Sequence, residues 1–178
     1  MKKAILFSLI LGFLFFQCKN EQDIAPTVKN NDLIFVGTGS GCSTFLAFKL
    51  NEDRNIGLVV SGNRDSLQLD STIQTYNLAY LNNLSVRIEQ LSNGENFYCD
   101  DLLEQGESVL NTYEATQGIA KIQIVEDSIN LGIVQGLTNE ILYKINIHLE
   151  NIKLQDANGD ELIIQNEVFT NVLVGWLP

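Results

Sequence analysis

Ile141, Tyr143, Ile145, Ile147 and Leu149 alternate with Lys144, Asn146 and His148. A two-residue apolar period sends one face of a chain into a core and the other into water, and extended chain has that geometry. After Leu149 the apolar positions change parity, to Ile152 and Leu154. One extra residue in a continuous strand does this, so the pattern predicts a β-bulge near Glu150-Asn151. Asn158-Gly159 then turns the chain into Leu162-Ile163-Ile164, and Val172, Val174 and Trp176 end it.

The same period recurs upstream. Leu33-Ile34-Phe35-Val36 has strand length and precedes Gly37-Thr38-Gly39-Ser40-Gly41. Thr44, Leu46, Phe48 and Leu50, then Ile56, Leu58 and Val60, flank Asn51-Glu52-Asp53-Arg54 and predict a hairpin. Leu67 and Leu69 predict a further short strand. Ile73 to Leu81 fits a helical stripe through Ile73, Tyr76, Tyr80 and Leu84, or a strand face through Tyr76, Leu78 and Tyr80; its neighbours favour the strand. Leu84, Val86 and Ile88 alternate with Ser85, Arg87 and Glu89, and Asn93-Gly94 predicts a tight turn into Phe97 and Cys99. Ser108 to Thr116, Ile119 to Glu126 and Ile129 to Gln135 read as three strands broken at Gln117-Gly118 and Asp127-Ser128. Short strands with turn signals between them predict an all-β domain: a single β-sandwich, immunoglobulin-like in general build, with a small β-barrel as the alternative.

Ahead of this domain stand Met1-Lys2-Lys3, an apolar run from Ala4 to Phe16, and Gln17-Cys18. Two lysines and a short apolar core have the layout of a secretory signal, and the run is too short to span a bilayer. Closing on a cysteine, it resembles the type II signal of bacterial lipoproteins, although Phe15, Phe16 and Gln17 replace the usual leucine and small residues. The resemblance covers residues 1 to about 23. It implies a signal peptide over 1–17 and lipidation of Cys18; the want of apolar periodicity from Lys19 to Asn31 makes 18–31 a flexible tether with the lipidated cysteine at its head, ahead of a folded domain over 32–178. Lys19-Asn20-Glu21-Gln22-Asp23 is similar to the export tag of Bacteroidetes surface lipoproteins, which implies a surface-exposed lipoprotein of the outer membrane. Asp65-Ser66-Leu67, Asp70-Ser71-Thr72 and Asp127-Ser128-Ile129 resemble the O-glycosylation acceptor of such proteins, with Ser66, Ser71 and Ser128 as the acceptors.

If Cys18 carries lipid, Cys42 and Cys99 remain as a pair in an oxidising compartment, and a disulfide is the simplest account. It would close a loop of roughly sixty residues, which the chain-entropy model values at about 4 kcal/mol. Metal binding by these cysteines is the rival, but it needs further soft ligands and His148 is the single histidine. Loss of Lys2 and Lys3 with the signal takes the net charge from −11 to −13. So acidic a domain lacks the basic footprint that nucleic acid requires.

Few residue sets suggest chemistry. Asp156, Asn158, Asp160 and Glu167 stand at positions 1, 3, 5 and 12 of a calcium loop, but Glu161 replaces the glycine of position 6 and strand periodicity flanks the segment. A plain hairpin leads there, with Ca2+ the secondary reading. The glycine-rich stretch at 37–41 lacks the spacing of a dinucleotide site and the Gly-Lys-Ser/Thr of a phosphate loop. Asp100, Asp101, Glu104 and Glu107 form an acidic connection, and His148 has no partner for nucleophilic catalysis. Tyr76, Tyr80, Tyr98, Tyr113, Tyr143 and Trp176 either fill a core or stack on sugars. The expected function is a lipid-anchored, non-catalytic envelope module without a cofactor, binding a glycan or an envelope protein. A structural subunit of an outer-membrane complex is the alternative, and a carboxylate-dependent hydrolase comes third.

Overall fold

A computed structural model of the chain describes residues 27–80, 83–94, 97–100, 106–129 and 142–175. The segment 1–26 with Cys18, the acids Asp101 and Glu104, the stretch 130–141 and Trp176 lie outside the described residues.

The fold is all-β, as expected. Its strands are β1 (Ser40–Cys42), β2 (Leu46–Leu50), β3 (Ile56–Gly62), β4 (Gln74–Asn77), β5 (Leu84–Leu91), β6 (Val109–Ile129), β7 (Leu142–Gln155) and β8 (Glu161–Val174). All belong to one antiparallel sheet in the order β1-β2-β3-β5-β6-β7-β8, with β4 paired to β6 beside that path. Seven antiparallel strands are an odd number, so the two ends of the path run the same way. The sheet curls until they meet. The Thr170 N–H donates to Thr38 O at 2.9 Å and the Gly175 N–H to Ser43 O at 2.7 Å, stepping in the same direction on both sides of a parallel seam. The architecture therefore combines the layered core of a sandwich with the continuity of a barrel.

The glycine-rich stretch makes this closure sterically feasible. Gly37 and Gly39 have φ of +77° and +99°, values that favour glycine. A Cβ on Gly39 would lie 2.7 Å from Phe169 Cδ1, and one on Gly41 would lie 2.6 Å from Val172 Cγ1 and 2.8 Å from Leu173 O. Val28 is buried, and Leu33 and Phe35 pack on the core. Apolar residues on both sides of position 32 thus contribute to the core.

The β7–β8 hairpin follows its sequence pattern. Tyr143, Ile145, Ile147 and Leu149 are buried, and burial changes parity to Ile152 and Leu154. Asn151 takes φ +51°, and the step from Glu150 to Lys153 faces the shorter step from Ile119 to Gln117, which is the expected bulge. Elsewhere the pattern misleads. Gln117-Gly118 does not end a strand: β6 runs on through register shifts there, with Gly118 at φ +126° packed under Ile152. Leu67 is buried from a single helical turn, α1 (Arg64–Leu67), and Leu69 from the chain just after it; the Asn63 side chain caps the turn, accepting from the Ser66 N–H. The ambiguous stretch divides into β4 and a 3-10 turn, Leu78–Tyr80.

Among the described residues, no strand follows Asn93-Gly94 into Cys99. The chain after β5 returns to pair with β6, the Ser92 N–H donating to Ser108 O. Gly94 is required for closeness instead, because a Cβ there would lie 2.2 Å from Arg54 O. In β2 the expected inward set, Thr44, Leu46, Phe48 and Leu50, is reversed: Phe45, Ala47 and Lys49 are the buried residues. Both faces of β2 carry apolar side chains, so alternation alone could not choose between them.

Candidate ligand groove on the outer face

Cys42 and Cys99 form the expected disulfide, with Cα atoms 5.7 Å apart and a sequence separation of 57. Cys99 is held at φ +65°. The bridge draws Phe97 and Tyr98 onto the outer face of β2, β3 and β5. The Tyr98 ring lies 4.6 Å from that of Phe48, and Phe97 meets it edge-on at 5.2 Å. Gly57 supplies the floor of this slot: a Cβ there would sit 2.3 Å from the Tyr98 hydroxyl. That hydroxyl donates to Glu89 Oε2 at 2.6 Å; Arg87 Nε donates to Glu89 Oε1 at 2.5 Å and Arg87 Nη1 to Ser61 Oγ at 2.9 Å. Burial, followed by the hydrogen bond to Glu89, pushes the Tyr98 phenol far above its ordinary range. Residues Ile56 to Val60 are consequently all buried, Ile56, Leu58 and Val60 in the main core and Val59 outside it.

Beside this outer layer a groove of about 440 Å3 runs between the glycine turn and β2. Val36, Thr38 and Ser40 line one side, and Phe48, Glu52 and Arg54 the other. Lys49 reaches it from within. Its Nζ lies 2.7 Å from Glu167 Oε1, with side-chain exposures of 6% and 17%, and 5.4 Å from the Phe169 ring centroid. This part-buried pair ties β2 to β8 across the seam. No known protein family, characterised protein or solved structure matches the chain. The chemistry of the groove is therefore the guide to its use: a half-buried aromatic wall, flanked by hydroxyl, carboxylate and guanidinium groups.

The other candidate residues disperse. Asp156 closes the β7–β8 turn, its carboxylate accepting from the backbone N–H of Asn158 and of Asp160, both at 2.9 Å, and from Asn111 Nδ2 at 3.2 Å. Burial opposes ionisation there, but these hydrogen bonds outweigh it and hold the carboxyl below its ordinary range. Glu167 is far along β8 from that turn, opposite Leu149 and paired with Lys49, so the four calcium candidates do not converge. Among the described residues no three His, Cys, Asp or Glu side chains gather to hold a metal. His148 faces outward as expected, bonded to Asn166 Oδ1 with Nδ1 3.3 Å from Glu150 Oε1. It lines a smaller groove of about 240 Å3 with Ile73, Lys121, Asn146 and Val168, and no Phe, Tyr or Trp lines that groove. Ser66 and Ser71 are exposed, and Ser128 is the next-to-last residue of β6.

Of the tyrosines, Tyr113 and Tyr143 are in the core, Tyr80 is exposed, and Tyr76 donates to Leu67 O at 2.7 Å. Burial pushes the Tyr76 and Tyr143 phenols up to about 12. The Lys49–Glu167 pair and the Tyr98 slot escaped the sequence reading. The unbroken run Ile56-Gly57-Leu58-Val59-Val60 was the available signal, since a strand covered on both faces loses its alternation.

Proposed function

We propose that this chain is a lipid-anchored, non-catalytic binding module of the cell envelope, and that its groove takes a glycan. The observation that carries the reading is the Phe48 ring, backed by Tyr98 and bordered by Thr38, Ser40, Glu52 and Arg54. Sugars offer an apolar ring face and a rim of hydroxyls, and an aromatic wall with polar groups at its edge complements both. The anchor reading is supported by the apolar run ending at Cys18 and by the acidic character of the domain, which suits an exposed surface better than a nucleic-acid partner.

The test is a glycan array probed with residues 19–178 and with Phe48→Ala. Saturable binding to one glycan class that Phe48→Ala abolishes is the expected result; a blank array, or binding indifferent to Phe48, overturns the glycan reading. Serine at position 18 should release the full-length protein from membranes, and unchanged partition would refute the anchor. A protein ligand is the second reading. It is favoured by Ile34 and Val36, which are 71% and 51% exposed on the segment that flanks the groove.

A further inference from the structure

We infer that the Cys42–Cys99 disulfide is a redox latch on this groove, setting its aromatic wall in the oxidised protein and releasing it on reduction. The inference rests on the groove reading above and adds its regulation. The bridge joins the two sides of the site. Cys42 ends β1, directly after the Ser40 wall, and Cys99 carries Tyr98, whose ring backs Phe48 on the other wall. Cys42 is buried, whereas Cys99 is partly exposed, so the proposed attack is at Cys99. A dithiol reductant supplies the chemistry. One thiolate attacks the Cys99 sulfur, the bond to Cys42 breaks, and Cys42 leaves as a thiolate that takes up a proton. The second thiol of the reductant, deprotonated, then displaces Cys99 from the mixed disulfide. Two protein thiols result, and the reductant leaves as its own disulfide.

The bridge holds the strap at a costly backbone angle. Cys99 sits at φ +65°, a left-handed conformation that side chains with a Cβ adopt reluctantly. Relaxing it moves Tyr98 off the Gly57 floor. Glu89, 7% exposed beneath the ring, then loses its phenol donor and gains water. Burial of that carboxylate and retention of Tyr98 are thus coupled, which makes release a two-position event. Phe48 loses the ring that backs it. The main core lies on the other face of the sheet and keeps Tyr113 and Tyr143.

The test is 19F NMR of residues 19–178 with 3-fluorotyrosine at its five tyrosines, before and after treatment with dithiothreitol and after reoxidation. Tyr98 is assigned with Tyr98→Phe, and Tyr80, 84% exposed, serves as the solvent reference. The latch predicts that the Tyr98 resonance moves to the Tyr80 region on reduction and returns on reoxidation, with Tyr113 and Tyr143 unmoved. A Tyr98 signal that stays in place overturns the latch, and so does a collapse of all five signals, which would make the bridge a support of the whole fold. No ligand enters this measurement. A blank glycan array therefore defeats the groove reading alone, and an immobile Tyr98 defeats the latch alone.

Discussion

The β7–β8 hairpin and the strand β2 across the seam from it are built from the same kind of extended chain and differ in how many faces they use. In the hairpin, Ile145, Ile147 and Leu149 point inward while Lys144, Asn146 and His148 meet water. At the seam, β2 and the Phe45 that precedes it bury Phe45 and Ala47 on the inner side and set Phe48 under Tyr98 on the outer side. A strand with one covered face writes its orientation into its sequence. A strand with two does not, and there the side chains that fix the structure are matched to partners remote in the chain: Lys49 to Glu167, Gly57 to Tyr98, Gly39 to Phe169.

The largest effect should come from splitting the seam ion pair. Lys49→Met or Glu167→Gln leaves one charge buried without its partner, and urea denaturation should show a loss of about 3–5 kcal/mol. Substituting both together should cost much less than the two single losses added. A loss below about 1 kcal/mol for either single variant would mark the pair as a surface contact and erase the contrast with the hairpin. Next is Gly57→Ala, whose Cβ collides with the Tyr98 hydroxyl; overpacking of this kind costs about 1–3 kcal/mol. In a Tyr98→Ala background the same change should cost almost nothing, and equal costs in both backgrounds would show that the strap does not lie on Gly57.

Smaller effects sharpen the hairpin side. Asp156 is held below its ordinary value of 3.8, so its ionised form favours the folded state. That contribution is complete above the ordinary value and is lost as pH falls through the depressed one. Wild type should therefore exceed Asp156→Asn in stability at pH 7, with the gap narrowing as pH falls below about 4. A gap that widens on acidification would contradict the hydrogen-bonded turn. Least of all, His148→Ala on the outer hairpin face should change stability by no more than about 0.5 kcal/mol.

The sequence made the one-faced half of the molecule readable. Alternation located β7, the parity change at Leu149 and Ile152 located its bulge, and Asn158-Gly159 located its turn. Pairing Cys42 with Cys99 was equally accessible. What stayed hidden had physical causes. Gly94 and the glycines at 39 and 41 serve close approach, which a sequence does not distinguish from turn formation. Gln117-Gly118 bends a strand that a neighbouring strand holds together on each side. Lys49 looks like a solvated lysine until its partner, 118 residues away, is known. The groove inherits this opacity, because its walls come from a turn, a strand and a strap that meet only when the sheet closes.

Closure of the sheet is therefore the claim on which the rest depends, and amide hydrogen exchange of Thr170 and Gly175 by NMR tests it most directly. Their N–H groups donate across the seam to Thr38 O and Ser43 O, so they should exchange about as slowly as the amides of Ile145 and Ile147 in the middle of β7. Exchange at the rate of an exposed turn would show an open sheet edge, and with it no wall for the groove.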